Sequence, residues 1–161
     1  MNKNALAADT NYSGARAVLL AGLAAGFADF VYPSVRALLA GKPVMGVWKG
    51  VASGLLGPAA HQGGIGTAVL GVALHFFICL VAAALLYAIL RKLPWFRRRW
   101  WLTGVIYGTA FLAVMNWIVL PLSQIGRPIY AWKDMHMHVF WHVLLVGWTT
   151  AWVLARREPR N

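Results

Sequence analysis

Four stretches of this chain, approximately Ala17 to Leu39, Gly66 to Leu90, Trp101 to Leu122 and Met137 to Ala155, are each apolar over about the 20 residues that an α-helix needs to cross hydrocarbon roughly 30 Å thick. Inside lipid every backbone amide must bond within its own segment, so such runs have one structural solution, the transmembrane helix. Composition closes off the alternatives. Of 161 residues, 60% are hydrophobic and 12% charged, with four acidic side chains and a mean hydropathy of +0.62. That is too little charge for an ordinary water-facing domain. Nine Trp and sixteen Gly fit neither a disordered chain nor a coiled coil. The first run follows Lys3 and Arg16 as a signal peptide would, but it continues past a signal's apolar core and reads as a retained span. The expectation is an all-α polytopic membrane protein, one membrane domain over residues 1–161.

A formal charge of +11 would suggest nucleic acid in a soluble chain; here the basic residues flank apolar runs, where they set orientation, and no nucleic-acid partner is expected. With four spans, the termini and the middle loop share one side, which holds ten of the fifteen Lys and Arg. Both termini are therefore expected in the cytoplasm, with the protein in the bacterial inner membrane. Arg97, Arg98, Arg99 and the neighbouring Trp100 read as an anchor at the lipid headgroups. The bilayer is the expected partner, with a homo-oligomer or a larger membrane complex beside it.

Between the first two spans, Val44, Met45, Val47, Trp48, Val51, Leu55 and Leu56 recur at helical period, while Gly46, Gly50 and Gly54 line another face. A helix over about residues 44–56 is too short to cross and is expected to lie on the outer interface or to dip in as a re-entrant segment. Its Gly stripe, Gly22-x-x-x-Gly26 and Gly104-x-x-x-Gly108 would all permit close helix contact. A weak repeat is also visible. Asp29 precedes Pro33 and Ser34, Asn116 precedes Pro121 and Ser123, and each set leads into a span bearing a His, His75 or His142. Two tandem helical hairpins would produce this pattern.

Polar groups inside a bilayer cost about 2.5–3.5 kcal/mol when ionisable, so each one needs a reason. At about 1.5 Å per residue, Asp29 and His75 fall roughly 13–15 Å from the outer boundary, and Asn116 and His142 roughly 9 Å. One residue per span at similar depth is what an interhelical cluster of Asp29, His75, Asn116 and His142 would require. Such a cluster either fixes helix packing in a structural or assembly subunit, or forms the site of a small channel, transporter or pH-responsive component. Asp134, His138 and His142 also share an i, i+4 face, and His136 with Met135 and Met137 adds softer donors, a pattern suited to copper or zinc. His75 and His142 on different helices would be the pair to ligate haem, though lone imidazoles on apolar faces more often bond protein. No phosphate-cradling Gly-Lys-Ser/Thr loop and no Ser-His-Asp elbow is present, and enzymatic activity is not expected. The single Cys79 cannot form an intramolecular disulfide.

Gly54-Leu-Leu-Gly57, Ala60-His-Gln-Gly-Gly64, Leu74-His-Phe-Phe77, Met115-Asn116, Pro121-Leu-Ser123 and the closing Arg156-Arg157 resemble motifs of small bacterial inner-membrane proteins, distantly those of the YagU family. The resemblance covers most of residues 15 to 157. It implies a helical inner-membrane protein with an association to acid resistance, and it supplies no catalytic residues.

Overall fold

The structure, a computed structural model, describes residues 3–130 and 132–157, with side chains over 14–130 and 132–156. Every regular element among them is helical. Four helices are long and apolar enough to cross a bilayer, with spans Gly14–Leu39, Ile65–Lys92, Trp100–Leu122 and Trp132–Arg156. At 23 to 28 residues each, they are longer than the hydrocarbon layer and reach into the headgroup zone. The fourth begins earlier than its apolar run, because a 3-10 turn at Trp132–Asp134 feeds directly into the helix Met135–His142. Large apolar side chains such as Phe27, Val69, Phe77 and Leu85 stand outward, as a bilayer solvent demands.

The chain packs as two hairpins. The first span lies along the second and the third along the fourth, while the first and fourth meet chiefly through Thr149–Arg157. Glycines make these approaches possible. A Cβ at Gly22 or Gly26 would come within 2.8 Å of Leu80 or Phe76, and one at Gly108 within 2.8 Å of the His142 carbonyl. Gly104 and Gly147 face each other across the second hairpin with no room for a side chain. Phe76 to Leu80 is four residues and Val143 to Trp148 is five, and the extra residue is taken up by a π-turn over Val143–Trp148. In this register Asp29, three residues past Gly26, matches Phe111, three past Gly108. The proline-based match of Asp29 with Asn116 is thus corrected. The third span carries more helix between its glycines and its proline, including a second π-turn at Met115–Val119 that closes with a Leu120 N–H to Met115 carbonyl bond just before Pro121.

Around the bundle the order is second, first, fourth, third. The second and third spans scarcely touch, and the short helix Pro94–Arg98 joins them at one end. That end is filled by Ala17, Ala21, Ala83, Leu86, Leu90, Ala151 and Leu154, with Tyr87, Phe96 and Tyr107 packed against them. Toward the opposite end the two outer spans diverge. Helix Val44–Leu56 forms where its periodicity predicted, but it is held against the second span rather than lying free on an interface. The close approach uses Gly71 of that span, whose bare Cα meets the Trp48 carbonyl, and not the helix's own glycines: Gly46 contacts little and Gly50 faces open space.

Candidate binding chamber

Where the second and third spans diverge lies a cavity of about 880 Å³. Leu74 and Ile78 wall one side and Phe111 and Met115 the other; helix Val44–Leu56 and the segment from Ser123 to Tyr130 line it toward the loop end. The roof is tied across by one backbone bond, the Gln124 N–H donating to the Gly54 carbonyl at 2.9 Å. The wall is mostly apolar. The alanine and leucine core described above does not line the cavity; that core packs the Pro94–Arg98 end of the bundle.

Asp29 and His75 are brought together on this wall. His75 Nδ1 stands 4.0 Å from Asp29 Oδ2, while its Nε2–H donates to the Gly26 carbonyl at 2.9 Å. A carbonyl can only accept, so the ring's proton sits on Nε2 and Nδ1 turns toward the carboxyl group. At 4.0 Å no direct hydrogen bond joins them, which leaves the carboxylate oxygen open to a third group. Pro33, one turn beyond Asp29, has no N–H and so leaves the Asp29 carbonyl without its helical donor beside the same cavity.

Trp48 was not singled out by sequence, since it reads as one apolar position among seven. It stacks on Phe30 at 4.4 Å, meets His75 edge-on at 5.2 Å and is 4% exposed, yet its indole N–H has no acceptor. It also lines the chamber.

The expected four-residue cluster does not form as one unit. His142 reaches the chamber wall, but its Nδ1–H donates to the His138 carbonyl of its own helix at 2.8 Å. The rings of Phe111 and Tyr130 face it at 6.3 and 6.2 Å, and neither Asp29 nor Asn116 bonds it. Asn116 is wholly buried and serves the loop: its Oδ1 accepts from the Ile129 and Tyr130 N–H groups at 3.1 and 3.0 Å, and its Nδ2 donates to the Tyr130 carbonyl at 3.4 Å. The reason is register, because Asn116 lies farther along its span than Asp29 does. Its clamp positions Tyr130, whose ring stacks on His138 at 3.9 Å. Burial pushes the Tyr130 phenol up to about 12, with the charge of Asp29 and then Tyr32 adding to the effect.

The candidate metal donors do not converge, and among the described residues no group of three His, Cys, Asp or Glu side chains is placed to hold an ion. Asp134 ends the 3-10 turn, exposed; His136 lines a separate apolar pocket with Phe140 and Trp148; His138 lies under Tyr130 and His142 is bound to backbone. At the opposite end of the bundle Arg99 sits over Trp95 at 5.0 Å and Arg156 over Trp152 at 4.7 Å, while Arg98 and Trp100 are exposed beside Arg97. Comparison with known protein families, curated proteins and solved structures finds no match.

Proposed function

We propose that this integral membrane protein binds a small organic molecule in the chamber between its second and third spans and exchanges a proton with it at Asp29 and His75. It would act as a transporter or pH-responsive component rather than as an enzyme. The observation that carries the reading is a carboxyl and an imidazole 4.0 Å apart on the wall of an 880 Å³ cavity, with a packed alanine and leucine core in the other half of the bundle. A filled half argues against an open channel and for a site that opens on one side at a time. The mostly apolar wall argues for an organic molecule over a hydrated ion, which would lose its water with little in return. In this reading the termini and Arg97 to Arg99 are cytoplasmic and the chamber lies in the outer half of the inner membrane. A role at acid pH, which the YagU-like motifs imply, would draw on the same pair.

The test is a paired measurement on purified protein in proteoliposomes: ligand-dependent proton movement with a trapped pH dye, and thermal unfolding. Asp29→Asn keeps the side chain's shape but cannot carry the charge. The expected outcome is unfolding near wild type with proton movement lost.

A structural or assembly role is the second reading, and the His75 to Gly26 bond between the first two spans favours it. Wild-type protein that neither moves protons nor gains stability from any added solute would decide for it.

A further inference from the structure

We propose that the chamber's occupant is a membrane-borne molecule, a hydroxyl or carbonyl head on an apolar body, admitted sideways from the bilayer between the second and third spans. The proposal rests on the binding reading above and names its ligand class. The second and third spans are the neighbours in the bundle that barely meet, and the cavity lies in their divergence. Since both are bilayer-crossing helices, what adjoins that divergence is hydrocarbon. An apolar body passing between Ile78 and Met115 exchanges lipid for protein walls of the same polarity, whereas a hydrated solute would shed its water against a mostly apolar wall.

The head group is read from two polar atoms, on residues that line the chamber, that lack a direct partner. Trp48 offers a buried N–H with no acceptor, and Asp29 offers a carboxylate oxygen too far from His75 for a direct bond. A hydroxyl accepts from the first and donates to the second; a carbonyl satisfies the indole and takes the proton that the Asp29 and His75 pair can hold. A carboxylate head would face Asp29. An ammonium head could not accept from Trp48. The charged side chains on the chamber are Asp29 and Arg127, opposite in sign, with His61, His75 and His142 beside them, so a neutral head leaves no net charge to be matched. The volume, about 880 Å³, falls within the roughly 300–1,000 Å³ of ordinary ligand sites and leaves room for an apolar tail.

The probe is geranylgeraniol, doped at increasing mole fraction into phosphatidylcholine nanodiscs that carry the full chain. Wild-type unfolding temperature should rise with the mole fraction, as it does for any ligand that binds the folded state. Trp48→Phe keeps the stack on Phe30 and deletes the N–H, so its half-maximal mole fraction should be about tenfold higher. Ile78→Trp and Met115→Trp, which fill the chamber, should abolish the rise, while Phe77→Trp on the exposed face should not. A diazirine analogue of geranylgeraniol reads the site without substitution. Adducts on Leu74, Ile78, Phe111 or Met115 support the proposal; adducts confined to Phe27, Val69 and Phe77 overturn it. An equal rise in wild type and both chamber-filling variants, or no rise in wild type, also overturns it. If tryptamine added from water stabilises wild type and geranylgeraniol does not, the lipid-borne ligand falls and the chamber reading stands. If neither does, the lipid-borne ligand falls, and the chamber reading falls with it when ligand-dependent proton movement is absent as well.

Discussion

The backbone carbonyl of Trp48 occupies the place that a side chain on Gly71 would need. This contact seats helix Val44–Leu56 against the second span, and with it the indole that stacks on Phe30 and meets His75. Gly71→Val should therefore unseat the roof helix and cost about 1–3 kcal/mol or more. Gly50→Ala, which meets nothing within 4 Å, should be neutral or stabilising by up to about 1 kcal/mol through helix propensity. Thermal unfolding of the two variants checks the contrast, and similar melting of both would remove this role for Gly71.

Asn116 holds the loop and does not line the chamber. Asn116→Ala should lower stability by about 2 kcal/mol, three intramembrane hydrogen bonds at an average of about 0.6 each. Hydrogen exchange should accelerate at Ile129 and Tyr130, whose N–H groups lose their acceptor. Unchanged exchange there would contradict the clamp.

His75 bridges two helices through Gly26 and faces Asp29 without a direct bond. In a double-mutant cycle, His75→Ala alone should cost about 0.6–1.7 kcal/mol, while the coupling between His75→Ala and Asp29→Asn should stay below about 1 kcal/mol. A coupling well above that would mean a direct bond between the two.

Tyr130 sets an alkaline limit. Its phenol titrates near 10 in an unfolded chain and at about 12 in the fold, so the unfolded state releases the proton first as pH rises. The associated stability is complete below about pH 10 and is lost progressively toward pH 12. Tyr130→Phe should flatten that part of the curve of unfolding temperature against pH; an identical decline in wild type and variant would exclude Tyr130 as its source.

Orientation is tested by cysteine labelling. With Cys79 replaced, Arg98→Cys should resist an impermeant thiol reagent added to spheroplasts and react once the membrane is opened. Strong labelling from outside would reverse the topology and move the chamber to the inner half.

How legible the site was differed residue by residue. Asp29 and His75 stood out because an ionisable group in an apolar run needs an explanation, and the structure places them side by side. Asn116 stood out for the same reason but went to a different task, since depth was counted from span ends, and the π-turn and the longer stretch of helix between Gly108 and Pro121 moved its register. Trp48 carried no signal at all: a tryptophan in an apolar helix is ordinary until its N–H is found buried without a partner. The Met and His run around His138 had metal-like spacing, yet spacing along one helix cannot say whether a ring turns outward, stacks under Tyr130 or bonds its own backbone.

By itself the sequence determined the class of fold, because about 20 apolar residues in lipid leave the backbone no partner but its own helix, four times over. It also determined the short helix between the first two spans, through a 3.6-residue period too brief to cross. Which spans are neighbours was decided by the tertiary structure alone. Lipid drives no helix toward another, so contacts depend on where glycine lets backbones close, as at Gly26, Gly71 and Gly108, and those choices leave the second and third spans apart. The chamber exists because of that separation, a property of how four helices are arranged and not of any one of them.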